Sequence, residues 1–259
     1  EIVLLERGRP GVRRYAAAAE ADCRAPYFSP DGTRLVWAKQ AADSTSGVYV
    51  QPVAPGGVAR LVLRARSLSD NNEPNGWYPD GRSFLVTTVE KGHTFLRRVT
   101  LSGDSATVAD VAREKFDVGP GTISPDGSRV AYLSGESGEP VLVVASLGAD
   151  GRAGPAVPVS RGYAAQPHWA GDGTLLWATR GMLVMAASVS RNLDVSAPAR
   201  RADLSELLTQ QGDWTVMGDG SLLVTRKAEG EGEVRRLDIV FGFERELKAL
   251  LARANAGTR

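Results

Sequence analysis

One cysteine, Cys23, stands in 259 residues, so no internal disulfide can form. With no catalytic motif around it, it reads as a small buried hydrophobe. Histidine is almost as scarce. His93 and His168 have no further His or Cys at metal-ligand spacing, and no metal site is legible. An excess of one charge is missing too. The 31 basic and 30 acidic side chains argue against broad electrostatic capture of nucleic acid, which needs a basic face. No run of about 18 apolar residues occurs, so no segment reads as a membrane-spanning helix. The opening stretch, Glu1-Ile-Val-Leu-Leu-Glu6, has acids at both ends and lacks the basic region and cleavage site of a signal peptide. Catalytic and nucleotide-binding motifs are also missing. Gly135-Glu-Ser-Gly138 does not match the Gly-x-Ser-x-Gly elbow, and no Walker-type loop is present. Gly148-Ala-Asp-Gly-Arg-Ala-Gly154 lacks the alternating acids of a calcium loop. No motif implies a cofactor.

What the chain has is a repeat. Phe28-Ser-Pro-Asp-Gly32, Trp77-Tyr-Pro-Asp-Gly81, Ile123-Ser-Pro-Asp-Gly127, Trp169-Ala-Gly-Asp-Gly173 and Val216-Met-Gly-Asp-Gly220 are five copies of one signal. Their last glycines are 49, 46, 46 and 47 residues apart. Asp-Gly between apolar runs is a hairpin signal, because glycine takes positive φ without steric cost. A period of about 47 residues is the length of a four-stranded propeller blade. The fold class expected is therefore all-β, a propeller of four-stranded antiparallel blades over residues 1–240. Repeat one predicts strands at 25–29, 34–39, 47–53 and 58–64. Repeat three predicts 120–124, 129–134, 140–147 and 156–160, and repeats two and four follow the same plan. Repeat five predicts 213–217, 221–227 and 234–240. After it, Phe243, Leu247, Leu250 and Leu251 have helical spacing, so residues 241–259 read as a helical tail packed on the last blade.

Residues 1–6 and 12–16 look like the third and fourth strands of a blade without its first two. Five to six blades are expected, closed as five or left as an incomplete six, with an irregular junction between 1–16 and 213–240. A start in mid-blade is expected of a piece of a longer protein.

The repeat aspartates, Asp31, Asp80, Asp126, Asp172 and Asp219, read as turn formers that accept local backbone hydrogen bonds. Phe28, Trp77, Ile123, Trp169 and Val216 read as core between blades, as do Trp37, Tyr132 and Trp177. His93, in Glu90-Lys-Gly-His93, reads as a solvated loop residue. The starts of the innermost strands carry polar groups where a core would want none. Arg24, Asn75, Gln166, His168 and Asp213 are therefore the candidate binding residues, at the channel or its rim. Together they fit a non-catalytic platform for a protein or peptide partner. The rival reading is a propeller hydrolase or lyase, with His168 and Asp213 as acid/base groups in the channel.

The Ser-Pro-Asp-Gly repeats resemble the propeller repeats of TolB-like proteins over residues 1–240. Leu237-Asp-Ile-Val-Phe-Gly-Phe-Glu-Arg-Glu-Leu-Lys248 is similar to the closing segment of TolB-like propellers at the C-terminus of many bacterial membrane-anchored serine/threonine kinases. There a strand runs into Asn-Trp-Phe-Glu-Glu-Leu-Lys. Here Gly242 and Phe243 stand near the Asn-Trp place, and Arg245 interrupts the acid pair. Gln166-Pro-His-Trp-Ala-Gly-Asp-Gly173 through Gly181-Met-Leu-Val-Met-Ala-Ala187 resembles the penultimate blade of the same proteins. No kinase motif lies in this chain. The resemblance implies an extracytoplasmic region that binds a partner or ligand.

Overall fold

The computed structural model describes residues 2–5, 12–16, 22–41, 44–67, 70–206, 214–217 and 220–224. Its local unit is the Asp-Gly turn. The Gly32 N–H donates to the Ser29 carbonyl at 2.8 Å, and Gly32 takes φ +69°. Ser29 Oγ donates to Asp31 Oδ1 at 2.6 Å, and the same oxygen accepts the Thr33 N–H at 3.0 Å. The serine hydroxyl first, then the bonds from Thr33, hold the Asp31 carboxyl down to about 2. Ser124, Asp126 and Ser128 repeat this arrangement. Asp80 accepts from the N–H groups of Arg82 and Ser83, and Asp172 from that of Thr174. The aspartates in these four turns are turn formers, as expected. Asp219 lies outside the described residues.

Each of the first four turns joins the inner two strands of a complete antiparallel blade. Blade one is β3 (Asp22–Phe28), β4 (Arg34–Gln40), β5 (Gly47–Pro52) and β6 (Arg60–Arg64). Blade two is β7 (Asn72–Trp77), β8 (Ser83–Glu90), β9 (His93–Ser102) and β10 (Ser105–Ala112). Blade three is β11 (Val118–Ile123), β12 (Arg129–Ser134), β13 (Val141–Ser146) and β14 (Val157–Tyr163). Blade four is β15 (Ala165–Trp169), β16 (Thr174–Ala178), β17 (Leu183–Ser188) and β18 (Ala199–Asp203). Two-stranded sheets flank them: β1 (Ile2–Leu5) with β2 (Val12–Ala16), and β19 (Trp214–Val216) with β20 (Leu222–Val224). The fold class is the expected one, with four complete blades among the described residues rather than five. The strand expected at 234–240 and the helical tail at 241–259 lie outside the described residues. Among those described, no strand pairing joins β19–β20 to β1–β2.

Period-two alternation distributes the core, since successive side chains leave a strand on opposite faces. On β12, Val130 and Tyr132 enter the cluster shared with Leu85, Leu96 and Val111 of blade two. Ala131 and Leu133 enter the cluster shared with Leu175 and Trp177 of blade four. Val36 of β4 packs with Phe84 and Val86, whereas Leu35 and Trp37 pack with Cys23 and Ile2. Leu176 and Ala178 meet Trp214, Leu222 and Val224. Every seam between neighbouring sheets has its own apolar core. Trp37, Tyr132, Trp177 and Cys23 are buried, as expected.

One core expectation is corrected. Phe28 is 50% exposed, whereas its repeat equivalents Trp77, Ile123 and Trp169 are half-buried and pack on the cores between blades as expected. The tryptophans lie on an arginine from the second strand of the preceding blade: Arg34 is 5.0 Å from the Trp77 ring centre, and Arg129 is 4.9 Å from that of Trp169. Ahead of Phe28 the described sheet holds only β1 and β2. No described second strand supplies such a platform there.

Gly47 opens β5 at φ +150°, with its Cα side pressed on the neighbouring strand. A Cβ there would overlap the Leu63 carbonyl oxygen and crowd Leu61 Cδ1. Gly47→Ala is therefore expected to cost about 1–3 kcal/mol by overpacking, since backbone on both sides must shift. In thermal unfolding that is a fall of roughly 2–4 °C per kcal/mol. Gly171→Ala, where nothing lies within 4 Å of the added atom, should leave the midpoint unchanged. Equal midpoints for the two variants would refute the crowding argument.

Candidate binding surface on the inner strands

The four innermost strands share an irregularity. Pairing with the second strand shifts register between Arg24 and Tyr27, Pro74 and Gly76, Val118 and Gly121, and Ala165 and His168. Each shift contains a proline: Ala25-Pro26, Pro74, Gly119-Pro120 and Gln166-Pro167. Proline has no N–H for the ladder, so the strand bulges where it sits. In blades one and four the residue before proline takes positive φ, Ala25 at +50° and Gln166 at +50°. A residue with a Cβ is strained there by about 1–2 kcal/mol. Bulges re-aim side chains, and retained backbone strain clusters at functional places.

Arg24 Nη2 donates to Gln40 Oε1 at 2.9 Å and to Asn71 Oδ1 of the next blade at 2.6 Å. Its Nη1 lies 3.7 Å from Asp22 Oδ2. The guanidinium thus bridges blades one and two. Asn75 Oδ1 accepts from Thr87 Oγ1 at 2.6 Å, within blade two. Gln166 is half-buried on β15. His168 stands edge-on to Trp214, with ring centres 4.7 Å apart, and its Nε2 is buried without a hydrogen-bond partner. Burial pushes the imidazole down to about 4, against a hydrogen bond to the Trp214 backbone that favours the charged form. It is neutral at pH 7. Asp213 lies outside the described residues. The four described candidates therefore sit on inner strands, but Arg24 and His168 engage the neighbouring sheet and Asn75 bonds within its own blade.

Three features escaped the sequence reading. Asn71 and Thr87 anchor Arg24 and Asn75, and neither is marked by any motif. Tyr27 and Phe28 form an exposed aromatic pair at the end of β3, although repeat position marks Phe28 as core. The X-Pro step in the inner strand of each complete blade was available as a signal of the bulge. His93 is exposed as expected, with Nδ1 3.6 Å from Asp117 Oδ1. Among the described residues no cluster of His, Cys, Asp and Glu could hold a metal, and no helix is long and apolar enough to cross a membrane. Polar crevices of about 10 and 30 Å³ between blades one and two have room for little more than a water molecule.

No protein-family model and no curated protein sequence matches the chain. Solved structures match its fold. TolB from Acinetobacter baumannii has a TM-score of 0.60 at 15% identity, over 82% of this chain and 50% of that one. A putative TolB from Agrobacterium tumefaciens gives 0.55 at 16%, over 73% and 70%. A puromycin-hydrolyzing peptidase of Mycobacterium tuberculosis gives 0.52 at 20%, over 83% and 35%. The chain spans about half the length of the Acinetobacter protein. At these identities the likeness shows the fold alone, a β-propeller similar in architecture to the TolB propellers.

Proposed function

We propose that this chain is a non-catalytic interaction propeller that holds a protein or peptide partner on the rim of its inner strands. It would serve as the sensor or scaffold region of a larger bacterial protein, such as a membrane-anchored serine/threonine kinase, on the extracytoplasmic side. The kinase context rests on the sequence resemblance of 166–187 and 237–248 alone. The observation that carries the binding role is the bulge repeated in all four inner strands, with Ala25 and Gln166 held at positive φ. Strain of that kind persists where the surrounding fold over-determines it, and it clusters at ligand clamps and binding sites.

The test replaces surface chemistry without disturbing the bulges. Gln retains a donor for Asn71 at position 24, and Asn tolerates positive φ at position 166. The Arg24→Gln/Gln166→Asn variant should stay folded, losing about 1–2 kcal/mol with the bonds that Arg24 makes to Gln40 and Asn71. Capture of bacterial envelope proteins on the immobilised chain should fall about tenfold or more, as expected when an interface loses anchoring residues. Equal capture by the wild type and the variant would remove the inner-strand rim as the binding surface.

A further inference from the structure

A cleft of about 450 Å³ opens at the outer seam of blades three and four, away from the inner-strand residues. Its floor is apolar: Trp177 on β16, Met185 on β17, Tyr163 at the end of β14 and Pro198 before β18. Its volume falls within the range of small-ligand and side-chain pockets, about 300–1,000 Å³. Arg161 and Arg180 stand among its lining residues.

A break in the β13–β14 ladder builds this cleft. Val143 pairs with Pro158, but Val141 pairs with Tyr163, so residues 159–162 bulge out of register. The buried Ser160 hydroxyl stabilises the bulge. It accepts the Leu142 N–H at 2.9 Å, in place of a strand carbonyl, and donates to the Gly162 carbonyl at 2.8 Å. The bulge leaves Arg161 exposed and without an acidic partner among the described residues. Across the opening, Arg180 lies 4.4 Å from the Tyr163 ring centre and donates to Glu139 at 3.0 Å. The hairpin carrying Arg180 has its own strain, Met182 at φ +59°. Two arginines against one glutamate leave the mouth cationic above an apolar floor.

We propose that this cleft binds an acidic peptide segment by one large apolar side chain, with Arg161 pairing a carboxylate beside that anchor. Strand addition is disfavoured, because the bulge twists the edge of β14 out of pairing geometry. The cleft instead offers depth for a side chain and charge for its flank.

The probe is a fluorescein-labelled peptide with one phenylalanine between aspartates, titrated with the chain and read by anisotropy. Saturable binding is expected. Arg161→Glu should weaken it about tenfold or more, since the pairing charge is reversed. Exchanging the phenylalanine for alanine should weaken it about as much by removing the anchor. The same peptide with lysines for aspartates should not saturate. Arg161 is exposed and outside every apolar cluster, so Arg161→Glu should keep the wild-type unfolding midpoint. No saturation by the aspartate peptide up to about 1 mM would overturn the proposal. So would equal binding to Arg161→Glu, or equal binding of the lysine peptide. Competition by phenylacetate at the peptide's own affinity would reassign the cleft to small carboxylates and overturn the peptide reading. The variant leaves the Arg24 and Gln166 surface intact, so this outcome is independent of envelope-protein capture there.

Discussion

Arg129→Ala should destabilise the propeller by about 3–5 kcal/mol, far more than the equivalent Arg34→Ala. The two arginines occupy one repeat position, two residues after the turn glycine. Both lie against a tryptophan of the next blade, and both of those tryptophans donate back to an inner-strand carbonyl. Trp77 Nε1 reaches Tyr27 O at 3.0 Å, and Trp169 Nε1 reaches Thr122 O at 3.3 Å. Their surroundings differ. The Arg129 side chain is only 6% exposed. Its Nη1 donates to the Val189 carbonyl and, at 3.1 Å, to that of Ser190, across the seam to blade four. Its Nη2 lies 3.5 Å from Asp126 Oδ2. Truncation strands the Val189 carbonyl, leaves that of Ser190 with the Leu193 N–H alone, and leaves the Asp126 carboxylate to the exposed Arg191. Arg34 is half-buried and donates to one carbonyl, that of Gly81, so its loss should cost about 1 kcal/mol. Arg129→Lys keeps the charge but not the planar fork that serves two carbonyls at once, and should fall between. Denaturant unfolding of the three variants decides the matter. Equal losses for Arg129→Ala and Arg34→Ala would show that the aromatic contact, not the buried carbonyls, carries the seam.

That pair also shows how far the sequence could be read. Arg34 and Arg129 follow the first and third turns, and Trp77 and Trp169 precede the second and fourth. The alternation is visible along the chain. Its meaning requires knowing that each blade packs on the one before it, which no local pattern states. Second strands were legible because they are uninterrupted apolar runs: the strand expected at 129–134 is β12 itself. First strands were read too short. The expected starts at 25 and 120 became Asp22 and Val118, because proline and positive φ break the alternation that marks a strand. Phe28 misled for the opposite reason. Repeat position records what a residue would pack against in a middle blade, and blade one has no described second strand ahead of it. Candidate site residues were legible only as polar groups out of place. Asn71 and Trp214, which fix Arg24 and His168, come from neighbouring blades about 46 residues on. Blade-to-blade partners at that separation carry no short-range signal.

His168 should make the blade-four seam sensitive to acid well before the turn aspartates do. Its ring is packed against Trp214, and Nε2 is buried with nothing to accept a proton's hydrogen bond. Burial lowers its pKa from 6.5 to about 4. The unfolded chain therefore binds a proton that the folded chain refuses between those values. The stabilisation is complete above pH 6.5 and drains away as pH falls towards 4, a loss of about 3 kcal/mol. Asp31 titrates lower, between its ordinary 3.8 and about 2, so its share is lost in a separate and more acid window. His168→Phe keeps an aromatic edge against Trp214 and cannot titrate. Its unfolding free energy should be nearly flat from pH 6.5 to 4, where the wild type declines, although it forgoes the bond to the Trp214 backbone at every pH. Below 4 the two should fall in parallel as the turn carboxylates protonate. Trp214 fluorescence offers a local readout, because protonation expels the imidazole from its face before the other blades respond. A wild-type slope that persists unchanged in His168→Phe would place the acid sensitivity elsewhere in the propeller.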